Sequence, residues 1–101
     1  MIVLHFKVRC QPEKSEEVKA ALADVIGPAR ATEGVISFDI AQDLTDPNAF
    51  IATEVFEDQA ARDNQESLPQ VATVMSLLPE SLAAPPEIAT YDATASEPAI
   101  A

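Results

Sequence analysis

Tryptophan is absent, histidine and cysteine occur once each, and glycine occurs only twice among the 101 residues. Each scarcity closes a class of function. Cys10 has no internal partner for a disulfide, and His5 as the sole imidazole cannot assemble a His/Cys metal constellation. Gly27 and Gly34 alone cannot build a Gly-x-Gly-x-x-Gly turn or a phosphate-cradling loop. Basic residues are few as well: 6 Lys plus Arg stand against 17 Asp plus Glu, for a formal net charge of −11. That balance repels phosphate backbones and anionic lipids, so neither nucleic acid nor a membrane surface is an expected partner. The run Met1-Ile2-Val3-Leu4-His5-Phe6-Lys7 is too short for a signal-peptide core or a membrane span, and the expected location is the cytoplasm.

What is present is apolar material. Hydrophobic residues make up 48% of the chain, enough to build a core, and the length suits one domain. We expect that domain over residues 1–92, with a small, polar tail over 93–101 that frays. Residues 2–9 are β-branched and aromatic and read as a strand. Pro12 with Glu13, Glu16 and Glu17 opens a helix, the carboxylates complementing its dipole. Val18, Leu22, Val25 and Ala29 recur on one face of it. Gly27-Pro28 predicts a kink or a short second segment, and Gly34 ends the unit.

Residues 35–42 and 50–57 read as two further strands joined by a loop, Asp43-Leu44-Thr45-Asp46-Pro47-Asn48. Asp58 suits the N-cap of a helix to about Ser67, and Pro69 opens another. Val71, Val74, Met75, Leu78 and Leu82 make the apolar stripe of that last helix, with Met75 placed in the core. Pro85-Pro86 breaks it, and residues 87–92 form a fourth strand. The order β-α-β, β-α-β is that of a ferredoxin-like split arrangement, an α+β fold with a four-stranded antiparallel sheet and helices on one face. Such a sheet should alternate apolar and polar if its second face met water. It does not: Phe50, Ala52 and Phe56 face one way, yet Ile51, Thr53 and Val55 face the other. We therefore expect a second copy of the chain on the open face, a homodimer closing into a barrel, with about 800 Å² buried per subunit.

In this order and spacing the chain resembles the antibiotic-biosynthesis monooxygenase domains of the dimeric α/β-barrel superfamily. The marks are Gln11-Pro12-Glu13 after the first strand, Ala31-Thr32-Glu33-Gly34-Val35-Ile36-Ser37-Phe38, Asp46-Pro47-Asn48-Ala49-Phe50, Glu54-Val55-Phe56-Glu57-Asp58, and Leu77-Leu78-Pro79-Glu80-Ser81-Leu82 ahead of Pro85-Pro86. The resemblance spans residues 2–92. It implies oxygenation of a small hydrophobic aromatic, phenolic or quinol, by O₂ with no metal, flavin or haem. The protein's part is a dry pocket and a group that promotes deprotonation. The chain departs from the family where members carry Trp at Phe56 and His at Gln65 and near Gln70. An amide cannot serve as the base that an imidazole can. Glu54, Glu66 or the substrate's own acidity would then supply the proton acceptor.

The residues assigned on this reading are Glu54 as base or orienter and Gln65 as catalytic amide, able to donate to a developing oxyanion. Phe6, Phe38 and Phe56 make the apolar wall, with Asn64 and Tyr91 as further substrate contacts. Each also has a plain reading: the phenylalanines as core, Glu54 as a paired structural carboxylate, Asn64 and Gln65 as solvated positions, Tyr91 as a cap on the sheet edge. His5 belongs at the dimer face, and Cys10 reads as inert. A non-catalytic ligand-binding or oligomerisation member of the same fold is the alternative, and an isomerase or cyclase a third, since fold alone does not set the reaction.

Overall fold

The structure, a computed structural model, describes residues 1–96, so the end of the expected tail, 97–101, lies outside the described residues. Alternating bulk over Ile2–Arg9 forms the first strand, β1. A 3₁₀ turn, Pro12–Lys14, leads into helix α1, Ser15–Arg30, which buries Val18, Ala21, Leu22, Val25 and Ala29 along one side. One helix runs through Gly27-Pro28 with no second segment. Pro28 lies in the last turn, where little ladder remains to break, and its carbonyl accepts a bond from Thr32 Oγ1 at 3.0 Å. Arg30 Nε then donates to the Phe38 carbonyl at 2.9 Å, tying the end of α1 to the next strand.

Strands β2, Val35–Asp43, and β3, Asp46–Phe56, form a tighter hairpin than the composition suggests. The turn is only Leu44-Thr45, and Asp46, Pro47 and Asn48 already belong to β3. Asp43 closes it: its carboxylate accepts from Thr45 N and Thr45 Oγ1, both at 2.8 Å, and Lys7 Nζ lies 3.1 Å away. These bonds, the Thr45 amide's first, hold the Asp43 carboxyl down at about 2. Near its start β2 carries a bulge between Val35 and Ser37, which turns Ile36 out to solvent.

Asp58 caps helix α2, Gln59–Glu66, its side chain accepting from the Ala61 amide at 2.9 Å. Helix α3, Pro69–Ser81, buries Val74 and Leu78, and β4, Glu87–Asp92, completes the sheet. The strand order is β2-β3-β1-β4, all neighbours antiparallel, which is the ferredoxin-like α+β topology. Helices α1 and α3 close over Val8, Phe38 and Phe50 to make the main core. Met75 is not in it: the residue is 57% exposed, because Val74 and Leu78 define the inward face of α3 and Met75 lies at its flank. Ala93, where the tail was expected to begin, is held to Met1 by two backbone bonds of 2.9 and 3.0 Å. None of the helices among the described residues is long and apolar enough to cross a membrane.

Candidate active site

Glu54 is fixed by strand parity. It follows Phe50 and Ala52 on the helix-facing side of β3, and its register neighbours are Leu4 on β1 and Phe38 on β2. A carboxyl walled by apolar groups has lost its hydration, and burial, followed by the nearby Glu66 carboxylate, raises its pKa from 4.5 to about 7; Arg62 opposes the rise. The side chain opens into a cavity of about 330 Å³ between the sheet and the helices, within the range of small-molecule sites.

The polar part of the lining comes from two elements. Beside Glu54 on β3, helix α2 contributes Arg62, Gln65 and Glu66. Arg62 Nε donates to Glu66 Oε1 at 2.8 Å, an i,i+4 pair along the helix. Gln65 is 2% exposed, and its Oε1 is a buried acceptor without a protein partner. An unmet acceptor of this kind is costly unless a ligand or water donates to it. The rest of the lining is apolar: Leu4 and Phe6 from β1, Leu22 and Val25 from α1, Val71 and Val74 from α3. Met75 and Ile88 also line the cavity yet are 57% and 60% exposed, which puts the mouth between α3 and β4.

Of the residues assigned from sequence, Glu54, Gln65, Phe6 and Phe38 meet in this cavity. Three do not. Phe56 is fully buried one pleat further along β3, packed on Leu4 and Ala61, so α2 covers it and takes it off the wall. Asn64 is exposed, since α2 turns Ala61 and Gln65 inward and the intervening position faces out. Tyr91 pairs with Val3 in register and therefore stands on the opposite face of the sheet. His5, expected on that opposite face, lies there, exposed, between Thr53 and Ala89. Cys10 is buried at the end of β1, where burial pushes its thiol above the ordinary value and Asp46 adds to the rise. Sequence reasoning named Glu66 as a candidate proton acceptor but missed Arg62 and its pairing to Glu66, although the i,i+4 spacing is a recognisable signal, and it missed Met75 as a mouth residue.

The family model for antibiotic biosynthesis monooxygenase matches residues 1–76 of this chain. The chain belongs to that family. A Synechocystis protein, "Uncharacterized protein sll1783", is 33% identical over 90 residues, which is 89% of this chain and 61% of that one. A Bacillus subtilis protein, "Putative monooxygenase YcnE", is 33% identical over 61 residues, 60% of this chain and 64% of its own length. The chain thus spans about three-fifths of the length of these two curated relatives. A solved structure from Deinococcus radiodurans superposes with a TM-score of 0.85 at 20% identity, with 100% of each chain covered, a likeness of fold. At the positions where the resemblance to this monooxygenase family puts imidazoles, the cavity holds the amide of Gln65, and the nearby Gln70 Oε1 is likewise buried without a partner.

Proposed function

We propose that the protein is a cofactor-independent monooxygenase, working as a homodimer, that oxidises a small hydrophobic phenol or quinol with O₂ in the cavity between sheet and helices. The observation that carries this reading is Glu54, a buried carboxyl with a pKa of about 7 at the wall of an otherwise apolar cavity. At neutral pH such a group is poised both to accept and to return a proton. In the proposed step the phenolic hydroxyl, docked against Gln65, passes its proton to Glu54, and the Gln65 amide N–H then holds the phenolate oxygen. The electron-rich anion then gives its electrons to O₂. A ring CH₂ of the keto tautomer becomes C=O, one oxygen atom enters the product and the other leaves as water, so the substrate supplies every electron. Phe6 and Phe38 hold the ring, and the dry surroundings keep competing water from the anion.

Oxygen uptake with a reduced naphthol or quinol tests the reading. We expect Glu54→Gln to lower the rate by about 100-fold, the scale of a lost general base, and Gln65→Ala by less. Rates for wild type and variants equal to that of buffer would remove it. A second reading, a ligand-binding member without turnover, is favoured by one feature: amides stand at Gln65 and Gln70 where the family resemblance puts histidine. Retained ligand binding with no oxygen consumed would support it.

A further inference from the structure

We propose that this cavity selects its ligand by charge, admitting an uncharged aromatic with a hydroxyl on one edge and turning away aromatic carboxylates, with Glu54, Gln65 and Glu66 as the discriminating residues. The inference rests on reading the cavity as the substrate site, and it concerns binding rather than oxygenation.

Three observations converge on it. First, the polar groups occupy one side only. Glu54 from β3 and Arg62, Gln65 and Glu66 from α2 stand together, while β1, α1, α3 and β4 offer apolar surface. A ligand polar at both ends would leave one end unsatisfied against that surface. Second, the cavity contains no free cation among the described lining residues. Arg62 is the one basic side chain there, and its guanidinium is already engaged by Glu66 at 2.8 Å. An incoming carboxylate would compete with Glu66 for that one guanidinium and would stand beside two carboxyls in a poorly hydrated space, where like charges repel strongly.

Third, the orphaned Gln65 Oε1 calls for a donor. The residue is 2% exposed, so water from the bulk does not reach it freely, and no protein N–H or O–H satisfies it. A hydroxyl supplies a proton to that oxygen; a carboxylate has none and would oppose acceptor to acceptor. The groups facing Glu54 act in the same sense. From α2 they are Glu66 and the already paired Arg62, and the strands and the other helices present apolar side chains alone, Leu4, Phe38 and Val74 among them. Against two carboxyls stands a single cation, Arg62, which Glu66 already shares.

Equilibrium binding under anaerobic conditions, at pH 7.5, with 2-naphthol, 2-naphthoate and naphthalene decides the matter, since no turnover can occur. We expect 2-naphthol to bind at least about 10-fold more tightly than either of the others, the worth of one satisfied buried acceptor or one avoided like charge. Gln65→Leu should erase the advantage of 2-naphthol over naphthalene while naphthalene affinity holds. Glu66→Gln, at a half-exposed position that tolerates the change, should raise 2-naphthoate affinity by about 10-fold and leave naphthalene unaltered. Two-naphthoate binding as tightly as 2-naphthol, naphthalene matching 2-naphthol, or no binding of any of the three would each overturn the proposal. If the selectivity holds but no oxygen is consumed in air, the oxygenase reading fails and the charge selection stands.

Discussion

Glu54 carries a cost that its neighbours accept. A carboxyl whose pKa rises on folding from 4.5 to about 7 binds its proton more tightly in the folded chain than in the unfolded one. The folded state is therefore favoured fully below the unfolded value, and that advantage is lost as pH climbs from about 4.5 to 7. The shift corresponds to about 3 kcal/mol, an order-of-magnitude figure for a largely buried group. Glu54→Gln should remove this slope: relative to wild type, the variant gains stability as pH rises through that window and differs little at pH 4. Denaturant titrations of both proteins at several pH values check it, and parallel pH profiles would contradict the assignment. A residue that destabilises its own fold near neutrality fits one retained for chemistry.

Among the elements, α2 depends most on single contacts. Gly34 has φ +84°, and a Cβ there would lie 2.6 Å from the Ala61 Cβ. Both the backbone conformation and the close approach require glycine. Gly34→Ala should cost roughly 1–3 kcal/mol through strain and displace α2 with the three polar side chains it turns to the cavity. Asp58→Ala should cost about 1 kcal/mol through the lost cap. Thermal denaturation reads the stability, and ligand affinity reads the displacement; an unshifted melting temperature for Gly34→Ala would refute the packing argument. This scale is also where the sequence is most legible. The strands, the Asp58 cap and the Pro69 start follow from local chemistry. The length of the β2–β3 turn does not, because Asp46-Pro47-Asn48 carries turn residues, yet Asp46 pairs with Asp43 of β2 and the Asn48 carbonyl accepts from the Cys10 amide just past β1, which draws the segment into a strand. Tertiary pairing overrode propensity there.

At the scale of the whole molecule, the sheet's second face remains. Val3, Ile51, Val55 and Tyr91 lie on it among polar neighbours, Val3 paired in register with both Val55 and Tyr91. We propose a second copy as its cover. Sedimentation at micromolar concentration should then return about twice the 10.8 kDa protomer, and Val55→Lys should shift it to a folded monomer. A wild-type protomer that stays single would overturn the assembly. The candidate site was half legible for a reason that belongs to this scale. Parity along β3 places Glu54 on the face of Phe50, Ala52 and Phe56, but which pleat α2 covers depends on how the helix lands. That landing takes Phe56 off the wall, and strand parity alone puts Tyr91 behind it.

The short helix α2 bears Arg62, Gln65 and Glu66, whereas Glu54 belongs to the middle of the sheet. A guest that bonds to Glu54 and Gln65 at once therefore bridges two separately anchored parts, acting as a rivet between a rigid floor and a small tethered panel. Any tilt of the panel shifts three of the four polar handles in concert and leaves the fourth behind, so grip on the guest and fastening of the panel rise and fall as one quantity.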